Sequence, residues 1–241
     1  MLERNRIMRN RQRLVTPRDE DERLAAIGDE MTSRFADEEI QVRSFAAVTL
    51  AEVLARDRLI GRLSASTVLA WQDEFTRWYR SEPDLRGWDE RLGWLHAVAH
   101  GADALGSFGL NAHLGTPNLV GLLALARDRL LAPTEALFAN QEDDRLGYAI
   151  AVVLSRPELD AEGAVSWLEE IGRAFDSGKP GPVPAWASNT IRTLRVVYLH
   201  ADRGLALPGS SPGVAATAVV HRGAVLEAVA GVLRRVWPYL G

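Results

Sequence analysis

The chain has 241 residues, a formal net charge of -4 and no cysteine. At about 150 residues per domain it makes one large domain or two small ones, and the lack of cysteine excludes disulfides, thiolate metal ligands and cysteine nucleophiles. The acidic balance argues against a general nucleic-acid binder, and no apolar run reaches the ~18 residues of a membrane span.

The opening stretch MLERNRIMRNRQRLV is basic but lacks the apolar core and cleavage site of a secretory signal. It reads as a basic arm over residues 1–16 of a cytoplasmic protein, followed by one all-helical domain over 17–241. From there apolar residues recur at three and four, the helical period. RLAAIGDEMTSRF (Arg23–Phe35) predicts a first helix. Glu38–Asp57 predicts a second, with Val42, Phe45, Ala46, Leu50 and Val53 inward. Ser64–Ser81 predicts a third, with Val68, Trp71, Phe75 and Trp78 on one core-facing stripe. SEPDLRGWDERLG reads as a loop, and the fourth helix carries GWLHAVAHGAD (Gly93–Asp103). A fifth begins at GTPNLVG, with Thr116 as cap and Pro117 at the first helical position. Asp143–Arg156 predicts a sixth, and a seventh starts near Pro157. GKPGPVP is a break before an eighth at Ala185–Asp202, and GLALPGSSPG a break before a last helix from about Val214 to Trp237. No alternating strand of useful length intervenes. About nine helices joined by short loops, without a heptad seam, fit stacked antiparallel hairpins of the HEAT or armadillo kind better than a four-helix bundle.

The fourth helix holds the most informative pattern. Its two histidines are spaced as in the zinc motif H-E-x-x-H, but Ala97 stands where the general-base glutamate belongs. At about 100° per residue, Trp94, Leu95, Val98, Ala102 and Leu105 form an apolar stripe. His96, His100, Asp103 and Ser107 form a polar stripe opposite, with Ala97, Gly101 and Ala104 between them leaving room for a close neighbour. That stripe either faces water or lines a groove. Histidine is scarce here, at five residues, yet two share this turn and His113 follows in the next loop. Histidines at this spacing make good metal ligands. Asp103 lies about 10.5 Å from His96 along the axis, so any ion needs donors from elsewhere. Glu82, Asp84, Asp89 and His113 are nearest in sequence. Without a metal, Asp103 could orient the His100 ring and leave its other nitrogen as a general base or ligand partner. Neither a Gly-x-Ser-x-Gly nucleophile nor a glycine-rich phosphate loop is present.

Four segments, VRSFAAVTLAEVLARD, YRSEPDLRGWDERLGWLHAVAHGADAL, DDRLGYAIAVVLSR and WASNTIRTLRVVYLHADRG, resemble a bacterial family of uncharacterised proteins, domain of unknown function family 2785. The resemblance runs from about Arg43 to Arg203. It implies an all-helical, HEAT-like fold and no particular activity. Positions matching the family's polar pattern are Arg43, Glu82, Asp84, Arg86, His96, His100, Asp103, Arg145, Asn189 and Arg195. If they converge, they line a cleft for a small polar ligand or a peptide. If the arginines instead pair with Glu82 and Asp84, they tie helices together.

The leading expectation is a helical scaffold with a His/Asp/Arg-lined ligand cleft. The alternatives are an acid–base or metal-assisted enzyme using the same cleft, and an interaction scaffold without chemistry. No cofactor is expected, a divalent metal on His96 and His100 being the one exception the pattern allows. The oligomeric state is open.

Overall fold

Local chemistry sets where the helices start and stop. Ser64 caps the third helix, its hydroxyl accepting from the Thr67 N–H at 3.1 Å. The preceding helix ends at Gly61, which takes the left-handed φ of 62° that glycine tolerates. The buried Asp57 carboxylate holds that turn, accepting from the Arg62 and Leu63 N–H groups at 2.7 and 2.8 Å.

These rules recur along a computed structural model that describes residues 17–178, 181–210 and 215–240. In chain order the helices are α1 (Pro17–Ser33, running into a 3-10 turn at Arg34–Ala36), α2 (Ile40–Ile60) and α3 (Ala65–Ser81). A minimal hairpin follows, β1 (Trp88–Asp89) and β2 (Gly93–Trp94). Then come α4 (Ala97–Gly109), α5 (Thr116–Leu131), α6 (Glu142–Leu154), α7 (Ala161–Val165), α8 (Trp167–Asp176), α9 (Ala185–Arg203) and α10 (Arg222–Val236). The predicted all-α class holds. Among the described residues no helix is long and apolar enough to cross a membrane. The basic arm over residues 1–16 lies outside the described residues.

Helices α2, α4, α6, α9 and α10 pack in succession, each against the next. On their other side α1 packs on α3, α3 on α5 and α5 on α8. Helix α4 is central, gripped by α2 and α6, and only Asp103 and Ser107 among its residues escape burial. Its small residues make that possible. A Cβ on Gly101 would sit 2.0 Å from the Tyr79 ring, and Tyr79 donates its hydroxyl to the Val98 carbonyl at 2.9 Å.

Several sequence expectations need correction. Trp94 is not on the apolar stripe of α4. It belongs to β2, stands about half exposed, and the helix begins three residues later. Strand β1 and Gly93 of β2 lie within the stretch predicted as loop. Phe45 does not point inward; it is 47 % exposed and meets His100 edge-on. Thr116 does not cap α5. Gly115 does, while the Thr116 hydroxyl donates to the Glu158 carbonyl at 2.7 Å. The seventh helix starts at Ala161 rather than Pro157, because the Asp160 carboxylate accepts from the Gly163 N–H at 2.7 Å and caps it there. The last helix starts at Arg222. Thr217 instead exchanges both backbone hydrogen bonds with Leu205, and that bridge is incompatible with a helix. Val214 lies outside the described residues.

Candidate functional site

The loop between α3 and α4 shapes the first part of the site. The Leu95 and His96 N–H groups donate to the Gly87 carbonyl at 3.0 and 3.3 Å. Gln41 on α2 donates to the Leu92 and Trp94 carbonyls at 2.7 and 3.3 Å. This turns the chain so sharply that His96 takes φ 49°, a left-handed value uncommon outside glycine. Its ring lies flat against Trp94 at 4.4 Å, and Trp88 meets Trp94 edge-on at 4.7 Å. His100 follows one turn later, 5.3 Å from His96 between ring centres.

Neither histidine is solvent-open. Burial pushes the His100 pKa down to about 4, helped by the charges of Arg145 and His96 and opposed by the Ser44 backbone carbonyl. His96 is shifted the same way by burial and by Arg145, against the pull of Glu142. The folded-state pKa of His100 thus lies below the unfolded value of about 6.5. The unfolded chain takes the proton first, so the neutral ring's contribution is present above about pH 6.5 and is lost as pH falls toward 4. With allowance for partial solvent screening this amounts to about 2 kcal/mol. In metal-free buffer, melting temperature is expected to fall over that window, and to fall less in His100→Leu.

Glu142 was not among the predicted residues, yet it is fully buried here. Its Oε2 accepts from the Asn140 N–H at 2.7 Å, and its Oε1 lies 3.8 Å from His96 Nδ1. Gly87 permits this, since a Cβ there would fall 1.9 Å from Glu142 Oε1. In the sequence nothing separates Glu142 from Asp143 and Asp144, which together look like ordinary acids at a helix N-terminus.

The remaining predicted residues divide into ties and outliers. Arg145 on α6 clasps Asp103 with two nitrogens, Nε to Oδ1 at 2.9 Å and Nη2 to Oδ2. Asp103 is therefore not the partner that orients His100. Arg43 clasps the buried Glu82 at 2.7 and 2.8 Å and also donates to the Asp37 and Glu38 carbonyls. Glu82 accepts further from Trp78 Nε1 at 2.8 Å and from the Asp84 N–H at 3.1 Å. Arg86 clasps Asp84 at 2.9 and 2.6 Å and reaches Asp89 at 2.5 Å on an exposed loop. Asn189 accepts from the Phe138 N–H and donates to the Ala136 carbonyl, both at 2.9 Å, pinning the loop before α6 to α9. Arg195 is exposed and lines a separate groove between α9 and α10. His113 bonds the Leu63 carbonyl at 3.0 Å. Among the described residues no group of three or more His, Asp or Glu side chains stands in metal-ligating geometry.

Beyond the histidines the α4 stripe continues into a cleft of about 460 Å³ between α2, α4, α6 and α9. Asp103, Arg145 and Ser107 line it, joined by Glu52, Asp144, Tyr148 and His200, over a floor that includes Val48, Ala51, Ala102 and Val152. Tyr148 donates to the Ala206 carbonyl at 2.7 Å and meets His200 edge-on. Arg58 donates to the Pro208 carbonyl at the rim, at 2.7 Å. Glu52 and Asp144 have no ion-pair partner among the described residues. Of the ten predicted positions, the structure places Asp103 and Arg145 in this cleft, sets His96 beside His100 further along the α4 stripe, and links Arg43, Glu82, Asp84 and Arg86 elsewhere.

No curated protein and no solved structure matches the chain. The family model described as "Protein of unknown function (DUF2785)" matches residues 34–199. That span, more than half of the chain, holds the histidines, Glu142 and all of the cleft residues except His200 and Pro208; the chain belongs to this family.

Proposed function

We propose that the protein is a bacterial, cytoplasmic scaffold of HEAT-like stacked helices whose cleft between α2, α4, α6 and α9 binds a small polar ligand. The observation that carries this reading is the cleft itself. Its volume of about 460 Å³ falls in the range of small-molecule sites, and its polar groups converge over an apolar floor. The alternating order of helix neighbours supports the HEAT-like part.

The charges narrow the ligand. Arg145 is neutralised by Asp103, so it is a poor clamp for an incoming carboxylate. Among the described residues Glu52 and Asp144 remain unpaired at the rim, with Arg58 the nearby cation. This balance suits an amine or a zwitterion with an apolar body over an anionic metabolite. In a thermal-shift panel of putrescine, agmatine and free amino acids, a ligand at about 100 times its Kd should add roughly 2.7 kcal/mol. For a chain of this size that is a rise of about 5–10 °C. The double variant Glu52→Gln/Asp144→Asn should lose the rise while keeping its fold. A flat panel, or a rise unchanged in that variant, would count against the cleft.

A second reading, a protein interaction surface, is supported by the groove between α9 and α10. Tyr198, Leu199, Trp237 and Leu240 are exposed there beside Arg195.

A further inference from the structure

Three buried side-chain atoms at the other end of the α4 stripe have no hydrogen-bond partner among the described residues: His96 Nδ1, His100 Nδ1 and Glu142 Oε1. Buried polar atoms in folded proteins are seldom left so. Two of these three face each other. The 3.8 Å between His96 Nδ1 and Glu142 Oε1 is too long for a hydrogen bond. With its proton on Nε2, the neutral His96 ring sets an Nδ1 lone pair against a carboxylate oxygen, which is repulsive unless positive charge lies between them. Neither Lys nor Arg pairs with Glu142 among the described residues, and Arg145, the nearby cation, is held by Asp103.

The gap has the length that one small dication spans. Bonds from a zinc-type ion to imidazole nitrogen and carboxylate oxygen are each about 2.0–2.2 Å, and two of them meeting at an obtuse angle put their donors roughly 3.8 Å apart. The surroundings fit as well. His96 and Gln141 both carry left-handed φ values, 49° and 67°, at the starts of α4 and α6. That backbone places the imidazole and the carboxylate against each other. Glu142 Oε2 is fixed by the Asn140 N–H, and the Ser44 carbonyl is the hydrogen-bonding neighbour of the His100 ring. Such outer contacts orient ligands and set which ring nitrogen is free. Trp94, flat on His96, covers the outer side.

We propose that His96 Nδ1 and Glu142 Oε1, with His100 as a third donor, bind one first-row divalent metal ion of the zinc type. The three donors do not surround one point in the structure, so binding draws the His100 ring toward the other two, and water fills the remaining position. Imidazole and carboxylate together suit zinc, cobalt or nickel over calcium or magnesium. The site is separate from the ligand cleft, and either can fail without the other.

The test uses the chelator-treated full chain, titrated with Zn²⁺ by calorimetry and with Co²⁺ by visible absorption. The expected result is one ion per chain and a Co²⁺ d–d band. Two variants remove a donor each: His96→Gly, which suits the left-handed backbone, and Glu142→Gln, which keeps the side-chain shape. Each should weaken binding at least about tenfold with an unchanged far-ultraviolet spectrum. They disturb different helices, so one folded variant is enough. Absence of saturable binding at millimolar Zn²⁺, or wild-type affinity in a folded variant, would overturn the proposal.

Discussion

Glu82→Ala should be the most damaging single change outside the apolar core. Glu82 is 2 % exposed and accepts from two of the three Arg43 nitrogens, from Trp78 Nε1 and from the Asp84 N–H. Removing it takes the carboxylate from a half-buried guanidinium, which keeps only its bonds to the Asp37 and Glu38 carbonyls, and strands an indole N–H. Breaking a buried pair from one side costs roughly 3–5 kcal/mol. At about 2–4 °C per kcal/mol for a chain of this size, the melting temperature should drop by roughly 10 °C. Glu82→Gln keeps the shape and some of the acceptors and should cost about half as much. Urea denaturation of both variants checks this; a loss below about 1 kcal/mol for Glu82→Ala would show that Arg43 and Trp78 find other partners.

Arg129→Ala should come second, for a related reason. Arg129 is 4 % exposed and donates to the Tyr79 and Glu82 carbonyls at 2.8 and 2.9 Å. Those carbonyls lie at the C-terminal end of α3, where the helix leaves acceptors unfilled and its dipole favours a cation. Burial works against the charge and lowers the Arg129 pKa, opposed by Tyr79, Glu82 and Asp128. Truncation leaves two buried carbonyls without donors, at about 1–3 kcal/mol each, offset in part by no longer burying a charge. A net loss of about 3 kcal/mol is expected by the same denaturation measurement. Because the Glu82 carboxylate also favours the Arg129 charge, the double variant should lose less than the sum of the single losses. Strict additivity would mean that the two ties act independently.

These two residues also show what the sequence could and could not reveal. Glu82 and Arg43 read in the sequence as polar positions for either a ligand or a tie between helices, and their geometry is that of a tie. Arg129 carries no signal in the sequence, because ALARDRLL reads as an ordinary solvated helix face. Only the packing of α3 on α5 turns it inward. Periodicity found most of the helices, since burial of one face leaves its mark at three and four. It failed for α4, where alanine and glycine allow neighbours on nearly every side and erase the amphipathic contrast. The wheel therefore placed Trp94 on a helix that begins after it. It also gave no hint that His96 would sit in a left-handed turn, because that turn is set by Gly87 and Gln41, distant in the chain.

The site was legible to the same uneven degree. His96, His100 and Asp103 were visible because histidine is scarce and the spacing is helical, and Arg145 came from the family resemblance. Glu142, Glu52, Asp144, Tyr148 and His200 were not visible. They reach the α4 stripe from three other helices, and no local pattern encodes that meeting.

The most direct test of the ligand cleft is chemical-shift mapping of ¹⁵N-labelled protein with the best ligand from the thermal panel. Shifts should change at Asp103, Ser107, Asp144, Arg145 and Tyr148, and the Arg145 side-chain Nε–H should move with them. Changes confined to Tyr198, Leu199 and Trp237 at the α9–α10 groove, or none at saturating ligand, would contradict it.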